Sequence, residues 1–280
     1  MLVEGLLTFG IWVILLAFLT EYVDSTLGMG YGTTLTPVLL AVGFEPMQVV
    51  PAVLLSELLT GLLAGLAHHN AGNVNFRPKT APLREIGAKV RRLGVVEAVR
   101  RGLPLDLRIA LLIGTCSVVG ATVAVATAIA LPAFYLKLYI GVMVLTVGLV
   151  IVLRRKVASR FSWRRITGLG LLAAFNKGLS GGGYGPLVTG GQVLSGVDGK
   201  RAVAITSLAE ALTCAVGFSA YLLTARIADW TLFPYLCFGA LLSVPVSAWT
   251  VKLVPSRKLL LGIGGLTTVL GAWTLVNLFF

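Results

Sequence analysis

The chain alternates between long apolar runs and short polar stretches. The apolar runs cover roughly residues 5–43, 47–69, 108–130, 133–153, 166–195, 200–223, 230–251 and 257–278. Each matches or exceeds the ~20 residues a helix needs to cross a bilayer. A β-barrel would instead show short segments alternating at every second residue. Two runs are interrupted by glycine, between Ser25 and Gly32 and between Gly178 and Gly185. With each interrupted run counted as two helical pieces, the pattern predicts ten pieces in two groups of five. The expected fold is an all-α polytopic membrane protein.

The two interruptions are related. Gly28-Met29-Gly30-Tyr31-Gly32 and Gly181-Gly182-Gly183-Tyr184-Gly185 lie 153 residues apart. At that constant offset the match runs on through Thr36 and Thr189, Gly43 and Gly196, Glu57 and Glu210, and Thr60 and Thr213, with 11 identities in 34 positions from Gly28 to Gly61. Two apolar segments aligned at random share Leu, Val and Ala, not a glycine cluster and an intramembrane glutamate. An internal duplication follows, with residues 1–153 as the first transmembrane repeat (including the basic loop 70–107) and 154–280 as the second.

Charge sets the topology. Of the 23 Lys and Arg, most fall between hydrophobic runs, in the 70–107 loop and in the 154–165 loop, so both loops are expected in the cytoplasm. Lys200 and Arg201, and then Lys252, Arg257 and Lys258, mark two further cytoplasmic loops, while the Glu45 loop and Leu131-Pro132 face outward. Equivalent loops of the two halves thus fall on opposite sides, which makes the repeats inverted. An odd number of crossings between the Glu45 and Asp198 loops makes 166–195 enter and return on one side, as a short helix, a glycine tip and a second short helix. The tips of the two Gly-broken re-entrant segments are expected to meet near the membrane midplane, although residues 5–24 are long enough to span fully.

Composition agrees: 57% hydrophobic, 12% charged, mean hydropathy +0.93. The net charge of +12 is accounted for by the cytoplasmic loops, so the basic character is no sign of nucleic-acid binding. The lipid bilayer is the expected partner, with anionic headgroups near the loops. The first run has no basic n-region, only Glu4, and no small-x-small cleavage site before Glu21, so it is expected to remain as a membrane helix. Cys116, Cys214 and Cys237 stand alone in apolar runs and read as buried small hydrophobes. No metal site and no cofactor are expected.

The glycine tips carry the candidate chemistry. Unwound backbone cannot face lipid, so it is buried in protein or lines a wet cavity. Glycine lets a ligand approach the backbone closely. The helices that follow, with Pro37 and Pro186 near their starts, aim free amides and about half a positive charge at the tip. That geometry suits a small oxyanion. Close helix packing is the competing explanation. The candidate substrate-binding residues are Gly28, Gly30, Tyr31, Gly32, Asn176, Lys177, Ser180, Gly181, Gly182, Gly183, Tyr184 and Gly185. Lys177 is either the anion's counter-charge or one member of a buried ion pair with Asp24 or a glutamate; Asp24 holds its position in the first half. Glu57 and Glu210 are coupling or gating candidates, or structural groups bonded to the broken helices. Thr60 and Thr213 lie one turn on, and Ser56 and Ser207 are weaker candidates. Glu21 and Tyr22 read as interfacial, Lys137 as snorkelling, and His68, His69 and Asn70 as a polar helix end.

The doubled G-x-G-Y-G block, the glutamate in the next helix and the basic central loop resemble the TauE/SafE family of sulfite exporters, over essentially the whole chain and most diagnostically at Gly28–Pro37 and Asn176–Pro186. The resemblance implies a membrane permease for sulfite or another small sulfur-containing anion in a bacterial inner membrane, working by alternating access. Met29 departs from the glycine at the equivalent Gly182, so the second tip is expected to contribute more. Two other functions fit parts of the sequence. Opposed tips could form the filter of an anion channel. Gly178-Leu179-Ser180-Gly181 matches the string of intramembrane serine proteases, with Ser180 as nucleophile, yet the only histidines lie at a helix end. Gly-rich helix faces would also serve a homodimer.

Overall fold

A computed structural model describes residues 2–78, 102–128, 133–153, 161–180, 184–224 and 230–279. The described residues form ten helices. They are α1 (Leu2–Leu27), α2 (Tyr31–Val42), α3 (Pro46–Ala71), α4 (Leu105–Ala128), α5 (Ala133–Leu153), α6 (Trp163–Ser180), α7 (Tyr184–Leu194), α8 (Gly199–Thr224), α9 (Leu232–Leu253) and α10 (Ser256–Phe279). The unbroken runs end within about three residues of the bounds the hydropathy pattern predicts. Most of the basic loop 70–107, from 79 to 101, lies outside the described residues. Among the described residues, five helices are long and apolar enough to cross a membrane: Phe9–Leu27, Gln48–Ala71, Gly199–Leu223, Leu232–Leu253 and Ser256–Val276. Their outward faces carry large apolar side chains, among them Trp12, Leu66, Trp249 and Trp273, each more than half exposed. Such faces are stable only against lipid.

Element ends follow local chemistry. Gln48 Oε1 accepts the Glu45 N–H (3.1 Å) at the start of α3, and α3 stops at Gly72, whose φ of +82° turns the chain left-handed. The 153-residue offset carries over to the helices: α3 spans 46–71 and α8 spans 199–224, while α2 and α7 begin at Tyr31 and Tyr184.

The packing does not follow the division at residue 153. One apolar cluster joins Val13 and Ala17 of α1, Tyr31 and Leu35 of α2, and Val49 and Val53 of α3 to Leu232 and Leu236 of α9. The other joins Ile109 and Ile113 of α4 to Ile166 of α6, Leu187 of α7, Ile205 of α8 and Ile263 of α10. The fourth helix of each half is therefore packed with the opposite half. Exchanging the halves maps the main contacts onto one another: α1 against α9 onto α6 against α4, and α3 against α9 onto α8 against α4. The α3–α8 and α5–α10 contacts map onto themselves. At α5–α10, Gly148 meets the backbone of Thr268 and Gly271 that of Leu145, the close small-residue packing that joins helices where no hydrophobic effect acts between them.

The broken segments are unequal. α1 has 26 residues and α6 has 18. At 1.5 Å per residue that is about 39 Å against 27 Å. α6 begins three residues before the apolar run at 166, and the ring of Trp163 in its first turn lies under the Arg108 guanidinium (5.6 Å to the ring centroid).

Candidate functional site

The break after α1 is built by backbone geometry. Gly28 has φ +75° and Gly30 φ +137°. A side chain at Gly28 would also collide with the Thr189 hydroxyl, which donates to Gly28 O at 2.8 Å. Thr189 belongs to α7, so the second half holds the first tip directly. Met29 is fully buried between them, with its Sδ accepting from the Thr267 hydroxyl at 3.3 Å. Gly185 packs on Gly28 O and Met29. The starts of α2 and α7 are thereby brought face to face.

Lys177 lies in the last turn of α6 and points between them. Its Nζ is 2.7 Å from Glu210 Oε1 and 3.4 Å from Glu57 Oε2, and it sits 5.2 Å from the centroid of the Tyr184 ring. The buried ion pair anticipated for Lys177 is formed, with the two glutamates; Asp24 instead accepts from Tyr31 N (3.2 Å) at the start of α2. Glu57 reaches across the molecule: Oε1 accepts from Gly32 N (3.1 Å), and Oε2 takes Lys177 and the Cys214 thiol (3.2 Å). The two tyrosines of the repeated block are both buried, Tyr31 OH on Ser56 Oγ (2.9 Å) and Tyr184 OH accepting from Thr213 Oγ1 (3.1 Å). Thr213 also meets Ser117 Oγ at 2.6 Å. Thr60 turns away from the lysine and donates to Glu21 Oε2 (3.2 Å). Asn176 and Ser180 fall in the last turn of α6, their side chains outside the described residues, as are Gly181, Gly182 and Gly183 altogether.

Three assignments made from sequence are corrected. Glu21 is no interfacial residue: it is 3% exposed and accepts from Ser25 Oγ (2.6 Å) as well as Thr60. Its spacing from Asp24, Ser25 and Gly28 puts all four on one face of α1, a periodicity that could have identified it. Cys214 is buried as expected but lies at the ion pair and not in a purely apolar setting. His68 is not a surface residue of a helix end. It is fully buried, its Nε2 3.0 Å from Ser25 O and its Nδ1 accepting from Asn73 Nδ2 (3.0 Å). Asn73 Nδ2 also donates to Ala248 O at 2.8 Å, so this pair ties α1, α3 and α9 together below the first tip. The Asp106–Arg201 ion pair between α4 and α8 gave no recognisable sequence signal.

The central cavity, between Lys177, Glu57, Glu210, Asp24 and the starts of α2 and α7, has a volume of about 10 Å³. That is room for about one water. A wider open pocket of about 610 Å³ lies at the helix ends beside Asn73, Asp106 and Arg201 and shares no lining residue with it. Among the described residues, no group of three His, Cys, Asp or Glu side chains is placed to hold a metal ion. The site is thus a small, charge-bearing centre in an apolar helical body, where α2 and α7 start.

The family described as "Sulfite exporter TauE/SafE" matches residues 13–83 and 92–274. A curated relative, the "Probable membrane transporter protein YtnM" of Bacillus subtilis (strain 168), is 26% identical over 276 residues, 94% of this chain and 81% of its own. No solved structure matches the chain. With a multi-pass helical body, glycine-broken helices meeting at a buried charge centre, and a family match that spans both halves, the chain belongs to the TauE/SafE sulfite exporter family of membrane transporters.

Proposed function

We propose that the protein is a permease that exports a small sulfur oxyanion, sulfite or an organosulfonate, across the bacterial inner membrane by alternating access. The observation that carries the reading is Lys177, a lysine with its side chain only 10% exposed at the point where α2 and α7 begin. A cation and helix starts at one place are the elements that recognise an oxyanion. The family's described role supports the substrate class. In this reading the two halves are inverted repeats and the broken helices rock around a shared centre. A central cavity of only about 10 Å³ favours a carrier that opens to one side at a time over a wide pore.

A membrane potential negative inside drives net negative charge outward by about 2.3 kcal/mol per charge per 100 mV, so export of a divalent anion runs downhill on the potential. No enzymatic step is assigned. For the protease reading, Ser180 needs a histidine, and both are engaged elsewhere, His68 with Ser25 and Asn73 and His69 with Phe76 N (3.2 Å). Counterflow of labelled sulfite into sulfite-loaded proteoliposomes tests the reading. Saturable exchange that unlabelled methanesulfonate competes away is expected. Flux that stays linear with concentration would replace the carrier with a channel.

A further inference from the structure

The two groups an oxyanion would use here are already occupied by a carboxylate. Glu57 Oε1 accepts the Gly32 N–H at the start of α2 (3.1 Å), while its Oε2 lies 3.4 Å from Lys177 Nζ. Gly32 makes this approach feasible, since a Cβ there would stand 2.8 Å from Oε1. Glu210 differs: it takes the lysine at 2.7 Å, and no amide of α7 is recorded on it among the described residues. The cavity leaves room for about one water, so an incoming sulfonate or sulfite group needs both the space and the partners Glu57 now holds.

We propose that Glu57 is a built-in competitor for the substrate oxyanion, and that the anion binds as Glu57 takes up a proton and releases the α2 amide and Lys177. The inference rests on the anion-permease reading and adds its coupling: one proton travels with each anion, carried on Glu57.

The charge count supports it. At rest the Lys177 ammonium faces the carboxylates of Glu57 and Glu210. Adding a monoanion at Lys177 would set that one cation against three anionic groups in direct contact with it, with Asp24 lining the same cavity. At a spacing of ~4 Å and an effective dielectric constant of ~20, one additional like-charge contact shifts the equilibrium by roughly a thousandfold. A proton on Glu57 restores the original sum. Of the carboxyl groups facing one another here, Glu57 alone among the described residues holds both the α2 amide and Lys177. The other groups facing it are Lys177 from α6, Glu210 and Cys214 from α8, Asp24 and Glu21 from α1, Tyr31 from α2 and Tyr184 from α7; α9 contributes Cys237 on the Ser56 side. Among the described residues this set holds no second cation.

The test is calorimetric titration of the purified full-length protein with methanesulfonate, whose own charge does not change near neutral pH. It is run in two buffers with different heats of ionisation, so that the protons exchanged on binding can be counted. The wild type should take up about one proton per anion. Glu57→Gln should bind at least as tightly with no proton uptake. Binding to the wild type without proton uptake would overturn the inference and leave the permease reading intact; so would a Glu57→Gln protein that still takes up the proton. If Glu57→Gln does not fold, the wild-type count decides alone, with Glu57→Asp expected to keep the uptake and bind more tightly. If neither methanesulfonate nor sulfite binds the wild type, the permease reading falls, and this inference with it.

Discussion

The two glycine tips come from one repeated block, yet one carries an acid and the other a base. Asp24 and Lys177 stand at the same register, 153 residues apart. Asp24 stays within its own half and holds the first amide of α2. Lys177 reaches both glutamates, one from each half. Both following helices begin at the tyrosine of the block, Tyr31 and Tyr184, but a buried Met29 stands in the first tip where the sequence of the second has Gly182. The comparison teaches that backbone and chemistry were set separately. The repeat supplies two matching broken helices, and a few side chains that differ between them convert the centre into an ion pair that joins the halves.

Lys177→Ala and Asp24→Asn break the comparison most sharply. Removing the lysine leaves two buried carboxylates facing each other, and losing one partner of a buried pair costs about 3–5 kcal/mol. Asp24→Asn keeps an acceptor oxygen for Tyr31 N and should cost about 1 kcal/mol. Thermal unfolding in detergent reads both; equal losses would mean that the lysine holds nothing the aspartate does not. Gly28→Ala and Gly43→Ala come next. Both glycines have positive φ, but Thr189 crowds Gly28 and nothing lies within 4 Å of the Cβ position at Gly43. Losses of about 3 and about 1 kcal/mol are expected. Smallest is Thr189→Val, which removes the donor to Gly28 O and should cost about 1 kcal/mol. The equivalent Thr36→Val should cost less. A reversed order would place the brace between the tips in the first half.

Much of this was legible in the sequence, for reasons that differ by region. The ends of α3 and α8 could be read because hydropathy stops where Gly72 and the polar loops begin, and because the repeat supplies each end twice. Lys177 could be read because a charge in an apolar run is costly and therefore rare. Its partner was narrowed to Asp24 or a glutamate but not chosen between them: Glu57 reaches it only because α3 packs on α8 across the molecule, a contact of high sequence separation. Cys214 looks like any small apolar residue in an apolar helix. His68 was misread because a polar group near a helix end resembles a solvated cap, and nothing in the linear pattern shows that Asn73 and Ala248 of α9 close over it. The exchange of α4 and α9 between the halves was equally hidden, since it changes no element, only what each one packs against.

The most direct test of the central claim is sulfite efflux from proteoliposomes under an imposed potential, for the wild type and for folded Lys177→Ala. The account predicts efflux that quickens when the lumen is made negative. Sulfite dianion accompanied by one proton carries one net negative charge, so the limiting gradient should shift roughly fiftyfold per 100 mV. In Lys177→Ala the flux should fall at least about a hundredfold. Undiminished flux in the folded mutant would contradict the account and reduce Lys177 to a structural tie between the two halves.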